Sequence, residues 1–468
     1  MFQYGLIPPL MFVGMICFML IGFPVAFSLA AVGLSFGFIG VATGHFEWAF
    51  LQALPLRIFG ILSNDLLLAI PFFTFMGAIL ERCGLAEDLL EGTGQLFGAW
   101  PGGLAVAVVI VGAILGAITG TVAASVIAMG VISLPVMMRY GYDMKFATGV
   151  IAASGTITQL IPPSLVLIVL ADQLGRSVGD MYKGAIGPSL LQVGIFLAYI
   201  AFLAITKPHL MPPIPPEARE PFGWKLLKRV LWGMVPSIVL IFLVLGTIFM
   251  GLATPTEAGA MGAVGAIALA ALHGRLTWDL VRQAMTSTMT LTSMVVFILL
   301  GATVFSLVFQ GMDGGRWIEH LLSGLPGGKI GFLIFGNIFV FILAFFLDFF
   351  EIAFIVIPLL APVAVKLGID LIWFGVLLCV NMQTSFMHPP FGFALFYLRG
   401  IAPPQVKSSD IYLGAIPWVV LQLILVAIVI FWPESVTYWL DSGPKVDPNS
   451  VRIEVPLDDL APPTLNFK

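Results

Sequence analysis

The sequence predicts an all-α polytopic membrane protein in which an inverted repeat contributes five transmembrane helices and one re-entrant hairpin from each half. Three observations lead to this fold class: the composition, the recurrence of long apolar runs, and two similar proline-containing segments far apart in the chain. Of the 468 residues, 59% are hydrophobic and 10% are charged, whereas about a quarter of the residues of a soluble domain are charged. The composition therefore places the chain in a lipid bilayer.

The charge balance and the cysteines exclude several other classes. A net charge of −4 indicates no nucleic-acid partner. Cys17, Cys83 and Cys379 stand far apart and match neither a metal-binding spacing nor a disulfide framework. No basic region precedes the first apolar stretch, so we expect that stretch to be retained in the membrane. We expect no cofactor.

Apolar runs long enough to cross a bilayer recur along the chain. Two further runs, at 103–137 and 330–365, carry small or polar residues at mid-length, and we interpret each as a re-entrant hairpin of two shortened helices. The predicted spans lie at 5–22, 23–43, 66–82, 145–172, 185–206, 232–251, 252–273, 286–310, 371–399 and 411–433.

A proline-rich stretch divides the chain. It ends in basic residues, a pattern typical of a linker that leads into an interfacial amphipathic helix. We therefore predict a first repeat at 1–206, this linker and helix at 207–231, a second repeat at 232–433 and a polar extramembrane tail at 434–468.

Two predicted spans are interrupted by polar residues followed by a proline pair, at 155–164 and 381–390. Proline removes a backbone donor and clashes with the carbonyl one turn earlier, so neither span is a continuous helix. In hydrocarbon, the freed backbone groups are tolerated only where they line a cavity or are buried in protein. The two breaks therefore predict a binding site at membrane depth.

The two halves repeat in order. The offset that places the first proline pair on the second also places the Gly-x-Asp sequence at 141–143 on the one at 368–370. An odd number of crossings per half means that the second half enters the membrane from the opposite side, the architecture of many secondary transporters. The distribution of Lys and Arg between the loops places both termini on the outer side.

The tip of the first hairpin carries Thr119, Gly120 and Thr121, followed by Ser125. Glycine lets the backbone turn close to a ligand, and threonine hydroxyls and exposed carbonyls are hard oxygen donors for a small cation. The alternative is that these small residues only allow close helix packing. Because we expect this hairpin tip to face the first broken helix, we favour cation coordination.

Three carboxylates lie in or beside apolar segments. Asp348 and Glu351 are three residues apart within the second hairpin, and an intramembrane carboxylate marks a functional site by default; the alternative is that they cap a helix at the hairpin tip. Glu257 follows Thr254 and Pro255 in a capping-box pattern. That pattern explains Glu257 structurally and leaves a gating role open.

His388 precedes the second proline pair and Arg399 follows it. The histidine is a group that titrates or donates to a substrate, although a local hydrogen bond is its commoner role. An arginine fork binds a carboxylate, although an arginine at a helix end more often reaches the membrane interface. No GxxxxGK[ST] phosphate loop is present, so an ion gradient or a partner must supply the energy.

These motifs resemble the large membrane subunit, DctM-like, of tripartite ATP-independent periplasmic (TRAP) transporters, within the ion-transporter superfamily. The most specific matches are ATPTEAGA at 253–260, LIPPS at 160–164 and the second break from 381 to 392. The resemblance covers nearly the whole chain to about residue 433. It implies no enzyme activity, but Na⁺-coupled, elevator-type import through a bacterial inner membrane. It also implies two partners, a small membrane subunit (Q) and a periplasmic substrate-binding protein (P).

The resemblance also implies site residues. Sodium is expected at Thr119, Gly120, Thr121, Gly155 and Thr156 in the first half, and at Asp348, Gln383, Thr384 and Ser385 in the second. Ser125, Thr158 and Gln159 depart from the usual family residues, which is expected to reshape the substrate pocket. The expected contacts of a small carboxylate are Ser125, Thr158, Gln159, Pro162, Pro163, His388, Pro389, Pro390 and Arg399.

The sequence leaves the substrate open: a 2-oxo acid, a C4-dicarboxylate and other small carboxylates all fit. Two other mechanisms also remain open. One is a stand-alone, proton-coupled carboxylate carrier that needs no binding protein, with Asp348 or His388 titrating. The other is a gated channel, against which the inverted repeat argues.

Overall fold

The computed structural model describes residues 6–221, 223–345 and 347–440. Within these ranges the regular secondary structure is entirely helical. The first half of the chain contains α1 (Ile7–Ile21), α2 (Val25–Thr43), α3 (Trp48–Leu51), α4 (Leu54–Leu62), α5 (Asp65–Arg82), α6 (Leu85–Phe97), α7 (Gly103–Thr119), α8 (Val122–Arg139), α9 (Met144–Thr156), α10 (Leu165–Leu174) and α11 (Val178–Thr206). The second half contains α12 (Trp224–Phe249), α13 (Pro255–Leu272), α14 (Trp278–Gly311), α15 (Gly314–Ser323), α16 (Gly328–Leu343), α17 (Phe349–Glu351), α18 (Ile357–Lys366), α19 (Leu371–Ser385), α20 (Phe393–Ile401), α21 (Ser408–Phe431) and α22 (Glu434–Thr437).

The predicted fold class, an all-α polytopic membrane protein, is confirmed. Among the described residues, eight helices are long and apolar enough to cross a membrane, or up to ten if each of two bent helix pairs counts as one span. One bent pair joins residues 48–62 to α5 at 46°, and the other joins α15 to α16 at 118°. Both the composition of the sequence and the length and hydrophobicity of its helices therefore identify a multi-pass membrane protein.

The segment between the halves differs from the prediction. Short 3₁₀ turns at Pro208–Leu210 and Pro216–Ala218 occupy the proline-rich stretch, but Lys225, Lys228 and Arg229 lie in the first turns of α12. Basic residues at the start of a long apolar helix produce the same local pattern as a separate surface helix. The predicted amphipathic segment and the next span thus form one continuous helix.

The described start of the predicted tail packs on the protein. Ser435 and Val436 of α22 are buried, and the carbonyl of Ser435 lies so close to Gly187 of α11 that no side chain fits there. The rest of the predicted tail, 441–468, lies outside the described residues.

The recurring Gly-x-Asp sequence starts both broken helices. Gly141 and Gly368 have φ of 75° and 63°, a conformation that favours glycine. The aspartate two residues later then caps the helix: Asp143 accepts from the Phe146 amide at 3.0 Å, and Asp370 accepts from the amides of the third and second residues after it at 2.8 and 2.9 Å. Both carboxylates satisfy amides that the helix itself leaves unpaired.

The two broken helices form the centre of the protein. Every residue of α9 from Phe146 to Thr156 is buried, and so is every residue of α19 from Phe374 to Ser385. Helix α9 packs between the hairpin formed by α7 and α8 on one side and α21 on the other. The fold therefore holds both polar breaks away from lipid.

Glycines set the close crossing of α9 and α21. A Cβ atom added at Gly414 would overlap the carbonyl oxygen of Lys145, and one added at Gly149 would overlap the carbonyl oxygen of Gly414. Small residues allow membrane helices to approach in this way. The backbones touch here, so neither helix has room for a larger residue.

Replacing Gly414 with leucine is expected to separate α9 from α21. Overpacking a core typically costs about 1–3 kcal/mol, and a clash with backbone belongs at the upper end. We expect the melting temperature in detergent to fall by roughly 3 °C, because the unfolding entropy of a chain of this length is about 1 kcal/mol per degree. Gly194→Leu in α11 is the control, because an added Cβ there meets no atom of the described part of the chain within 4 Å. An equal effect of the two substitutions would contradict the close crossing.

Candidate functional site

The first hairpin lies directly on the first break. Gly120 turns the chain between α7 and α8 with φ of 65°. Across the interface, a Cβ added at Gly116 would come within 3.0 Å of the Thr158 Cα, and one added at Gly155 within 2.9 Å of the Val126 Cα. Glycine on both surfaces thus brings the hairpin backbone against the unwound segment.

Hydroxyl groups join the hairpin to the break. The Oγ1 of Thr158 lies 2.9 Å from the Oγ of Ser125 and donates to the carbonyl of Gly155 at 2.7 Å. All three residues are buried. Two predicted substrate residues, one on the hairpin and one on the broken helix, are therefore in direct contact.

Gln159 occupies the middle of the first break, in a 3₁₀ turn over Ile157–Gln159. Its side chain is buried, and within the described part of the chain neither atom of its amide group has a hydrogen-bond partner. Its backbone carbonyl accepts from Ser164 at 2.5 Å and from Cys379 at 3.2 Å. A buried amide without hydrogen-bond partners destabilises the fold. Such a group is typical of a ligand-binding site.

Beyond the break, the chain re-enters a helix at Ser164. The Ser164 Oγ accepts from the Val166 amide at 3.2 Å and so caps α10. The peptide bond between Pro162 and Pro163 is cis, as is the bond between Pro389 and Pro390. Pro162 and Pro163 are buried, whereas Pro390 is exposed.

Of the predicted sodium residues at the first hairpin tip, Gly120 and Thr121 can be placed. Thr121 is half-buried at the N-cap of α8 and makes no side-chain bond to the first turn of that helix. The structure does not describe the side chain of Thr119.

The second hairpin has its carboxylates at the tip, where they cap a helix. Asp348 accepts from the Phe349 amide at 2.7 Å, and Glu351 accepts from the Asp348 amide at 3.0 Å. This capping box begins α17 and is followed by a π-helical turn over Ile352–Val356. Glu351 is buried and Asp348 is half-buried. The capping alternative thus describes how both side chains are held.

The second break meets the first at the centre of the protein. The Nε2 of Gln383 donates to the carbonyl of Thr156 at 2.8 Å. Thr384 donates to the carbonyl of Asn381 at 2.7 Å, and Ser385 donates to the carbonyl of Met382. One hydrogen bond, from a side chain of one broken helix to a main-chain carbonyl of the other, therefore joins residues predicted at the two sodium positions.

The second hairpin is tied to its own break. The Nδ2 of Asn381 donates to the carbonyl of Asn337 in α16 at 2.7 Å. The ring of His388 stacks on Phe345 with centroids 3.6 Å apart and meets Phe341 edge-on at 4.9 Å. Aromatic residues at the end of α16 thus hold His388 beside the second proline pair.

Two predicted residues lie apart from this cluster. Arg399 is exposed near the end of α20, and its Nη1 donates to the carbonyl of Val406 at 2.8 Å. Glu257 is the third residue of α13 and forms a capping box, accepting from the amide of Thr254 at 2.8 Å. The local pattern at Glu257 was sufficient to indicate its structural role, whereas that at Arg399 did not reveal its partner.

Sequence reasoning missed Gln422, a buried residue of α21 whose Nε2 lies 3.0 Å from the Oγ1 of Thr156. It also missed Gln192 of α11, which is buried and whose amide has no hydrogen-bond partner in the described ranges. Each is an isolated polar residue in an apolar span, and this is a signal that points to function in a membrane helix.

Comparison with known proteins agrees with this architecture. Residues 12–435 match the family model of the "Tripartite ATP-independent periplasmic transporter, DctM component". The chain is 30% identical over 438 residues to the "C4-dicarboxylate TRAP transporter large permease protein DctM" of Rhodobacter capsulatus, covering 90% of this chain and 95% of that protein. It is 26% identical over 414 residues to the "Sialic acid TRAP transporter large permease protein SiaM" of Vibrio cholerae, covering 88% and 93%.

A solved structure shares the fold. The Alcanivorax borkumensis YdaH transporter, described as having an unusual topology, superposes with a TM-score of 0.59 at 16% sequence identity, covering 83% of this chain and 89% of that one. The family match spans both hairpins and both broken helices. The chain therefore belongs to the DctM family, the large permease component of the tripartite ATP-independent periplasmic transporters.

Proposed function

We propose that this permease imports a small organic acid, delivered by a periplasmic binding protein, together with sodium ions by an elevator-type mechanism. The observation that carries the proposal is the meeting of the two broken helices at Thr156 and Gln383, deep in the protein and beside both hairpins. Transporters place substrate and coupling-ion sites where discontinuous helices of two repeats meet.

The same contact supports the inverted repeat. Thr156 and Gln383 are 227 positions apart, the offset that also relates the two proline pairs. Equivalent residues of two repeats contact one another only near the axis that relates the repeats. A hydrogen bond between these two residues is therefore expected at the pseudo-twofold axis of an inverted repeat.

The packing favours a division into two bodies. The hairpins and the broken helices pack with one another and with α11 and α21, whereas α2, α5, α13 and α14 pack mainly among themselves. In the proposed mechanism the first group carries the substrate and moves against the second. A coupling ion drives this motion only through its higher affinity for the loaded arrangement.

Hydroxyl, carboxylate and carbonyl oxygens suit sodium, which prefers hard oxygen ligands. Thr121, Asp348 and Ser385 supply such groups at the hairpin tips and the second break. For the acid, the buried amide of Gln159 offers donors, and the capped start of α10 offers the positive end of a helix dipole. The relatives named for C4-dicarboxylate and sialic acid also carry acids.

Membership of the family supports a proposed location and proposed partners, and the distribution of Lys and Arg supports the proposed orientation. We place the permease in the bacterial inner membrane with both termini periplasmic, paired with a small Q subunit and served by a binding protein P. The titratable groups Asp348 and His388 also fit the alternative, a stand-alone proton-coupled carrier.

Uptake by proteoliposomes tests the proposal. Vesicles containing the permease and its small subunit are given a panel of radiolabelled small carboxylates, with and without the binding protein, under a sodium or a proton gradient. We expect saturable uptake that requires both the binding protein and sodium. Uptake driven by protons without a binding protein would support the alternative, and unsaturable flux would indicate a channel.

Thr121→Ala and Ser385→Ala are each expected to raise the sodium concentration for half-maximal uptake by about tenfold, the equivalent of losing roughly 1.4 kcal/mol of binding. Each change removes a hydroxyl proposed to contact the ion. Thr290→Ala is the matched control, because Thr290 is exposed on α14 and, among the residues that the structure describes, its hydroxyl bonds only to Thr286 of its own helix. Unchanged sodium dependence in the first two variants would remove these residues from the sodium sites.

A further inference from the structure

Gln422 links a helix outside both hairpins to the first break. It lies in the middle of α21, is 0% exposed and is surrounded in sequence by Leu421 and Leu423. Its Nε2 lies 3.0 Å from the Oγ1 of Thr156, the last residue of α9. A glutamine in such an apolar environment is stabilised only by the hydrogen bonds that it makes.

Thr156 is held from two other helices at once. Its Oγ1 donates to the carbonyl of Ala153 at 2.9 Å and accepts from Gln422, while its carbonyl accepts from Gln383 at 2.8 Å. A hydroxyl has one donor proton, so the bond to Ala153 leaves it as the acceptor toward Gln422. Both glutamine amides are thereby oriented by the same residue.

The contacts of Thr156 and Gln422 also include Met387, which lies within the second break. The Sδ of Met387 lies 3.4 Å from the Oγ1 of Thr156 and 3.6 Å from the Nε2 of Gln422. With their nitrogens directed at Thr156, Gln383 and Gln422 each retain a buried Oε1 that has no hydrogen-bond partner in the described ranges. The end of α9, the end of α19 and the middle of α21 are therefore joined in one polar cluster.

We propose that Gln422 is a positioning residue of the permease, which fixes Thr156 relative to the second break so that ordering of one break favours ordering of the other. This inference rests on the proposed sodium coupling. Through Gln422, sodium binding at the first break increases the affinity at the second, and linkage requires the reverse effect to be equal. A role in core packing alone would affect stability but not this cooperativity.

The test compares Gln422→Met, Thr156→Val and the double variant in proteoliposomes with the binding protein. Methionine keeps the length of the side chain and removes the donor; valine keeps the shape of threonine and removes the hydroxyl. We expect each single variant to lower the Hill coefficient for sodium toward unity and to raise its half-maximal concentration about tenfold. The double variant is expected to resemble the single ones, because both changes break the same bond.

Gln310→Met is the control, because Gln310 is an exposed glutamine near the end of α14. Gln422→Asn, which keeps an amide on a shorter side chain, serves if the methionine variant does not fold, and is expected to show the same loss of cooperativity. Unchanged cooperativity with wild-type stability, or effects that add in the double variant, would overturn the positioning role. Wild-type uptake without sodium dependence would overturn the proposed function and this inference with it.

Discussion

Asp348→Asn is expected to raise the sodium concentration for half-maximal uptake by tenfold or more. Asparagine is as good an N-cap as aspartate, so its side-chain oxygen can still accept from the Phe349 amide and the capping box persists. The substitution therefore removes the charge and leaves the helix start in place. A charged ligand contributes more to cation binding than a neutral one, and a loss of about 1.4 kcal/mol is a tenfold change. Sodium-dependent uptake in proteoliposomes measures the effect.

The control for this variant is Asp370→Asn. Asp370 caps α19 through two amides at 2.8 and 2.9 Å and is exposed, so the same chemical change occurs at a helix start away from the hairpin tip. We expect its sodium dependence to remain that of the wild type. If Asp348→Asn also behaves as the wild type, Asp348 is only a cap, as the structural alternative holds.

Gly155→Val is expected to reduce uptake by about a hundredfold. A Cβ atom at Gly155 would lie 2.9 Å from the Cα and 3.0 Å from the amide nitrogen of Val126, and would overlap its side chain. The contact is with backbone, so α8 must move away and take the Ser125 hydroxyl from Thr158. Displacements of about 1 Å in a functional site cost on the order of a hundredfold in rate.

The comparison for Gly155→Val is Gly336→Val in α16. Gly336 is also buried, in a helix of the proposed mobile group, but an added Cβ there meets no atom of the described residues within 4 Å. We expect near-normal uptake from this variant when both proteins insert in equal amounts, as judged by quantitative immunoblotting of the vesicles. Normal uptake by Gly155→Val would show that the hairpin does not need its close contact with the first break.

Much of the site was predictable because its signals are local. A proline pair interrupts a helix wherever it stands, so the breaks after Thr156 and Ser385 follow from covalent geometry. The Gly-x-Asp sequence predicts a helix start because the glycine conformation and the aspartate cap depend on neighbouring residues only. The capping box at Glu257 is equally local, and the family motifs lie in these same segments.

Other features could not be predicted from the sequence, because the same sequence pattern occurs in two different structures. Basic residues before an apolar run suit a surface helix or the first turns of a span, and α12 is the latter. An arginine after a broken helix suits substrate binding or a local bond, and Arg399 donates to the carbonyl of Val406. In each case the sequence pattern fits both structures, and only the folded chain shows which of the two forms.

The sequence by itself determined the membrane class, the two broken spans and the family. Only the tertiary structure decided which polar groups meet: Thr158 with Ser125, Asn381 with Asn337, and Thr156 with both Gln383 and Gln422. Proline and glycine act on their own backbone, so their effect can be read from the chain. A buried amide or hydroxyl instead takes the partner that packing brings within about 3 Å, and that choice depends on how helices far apart in the sequence cross.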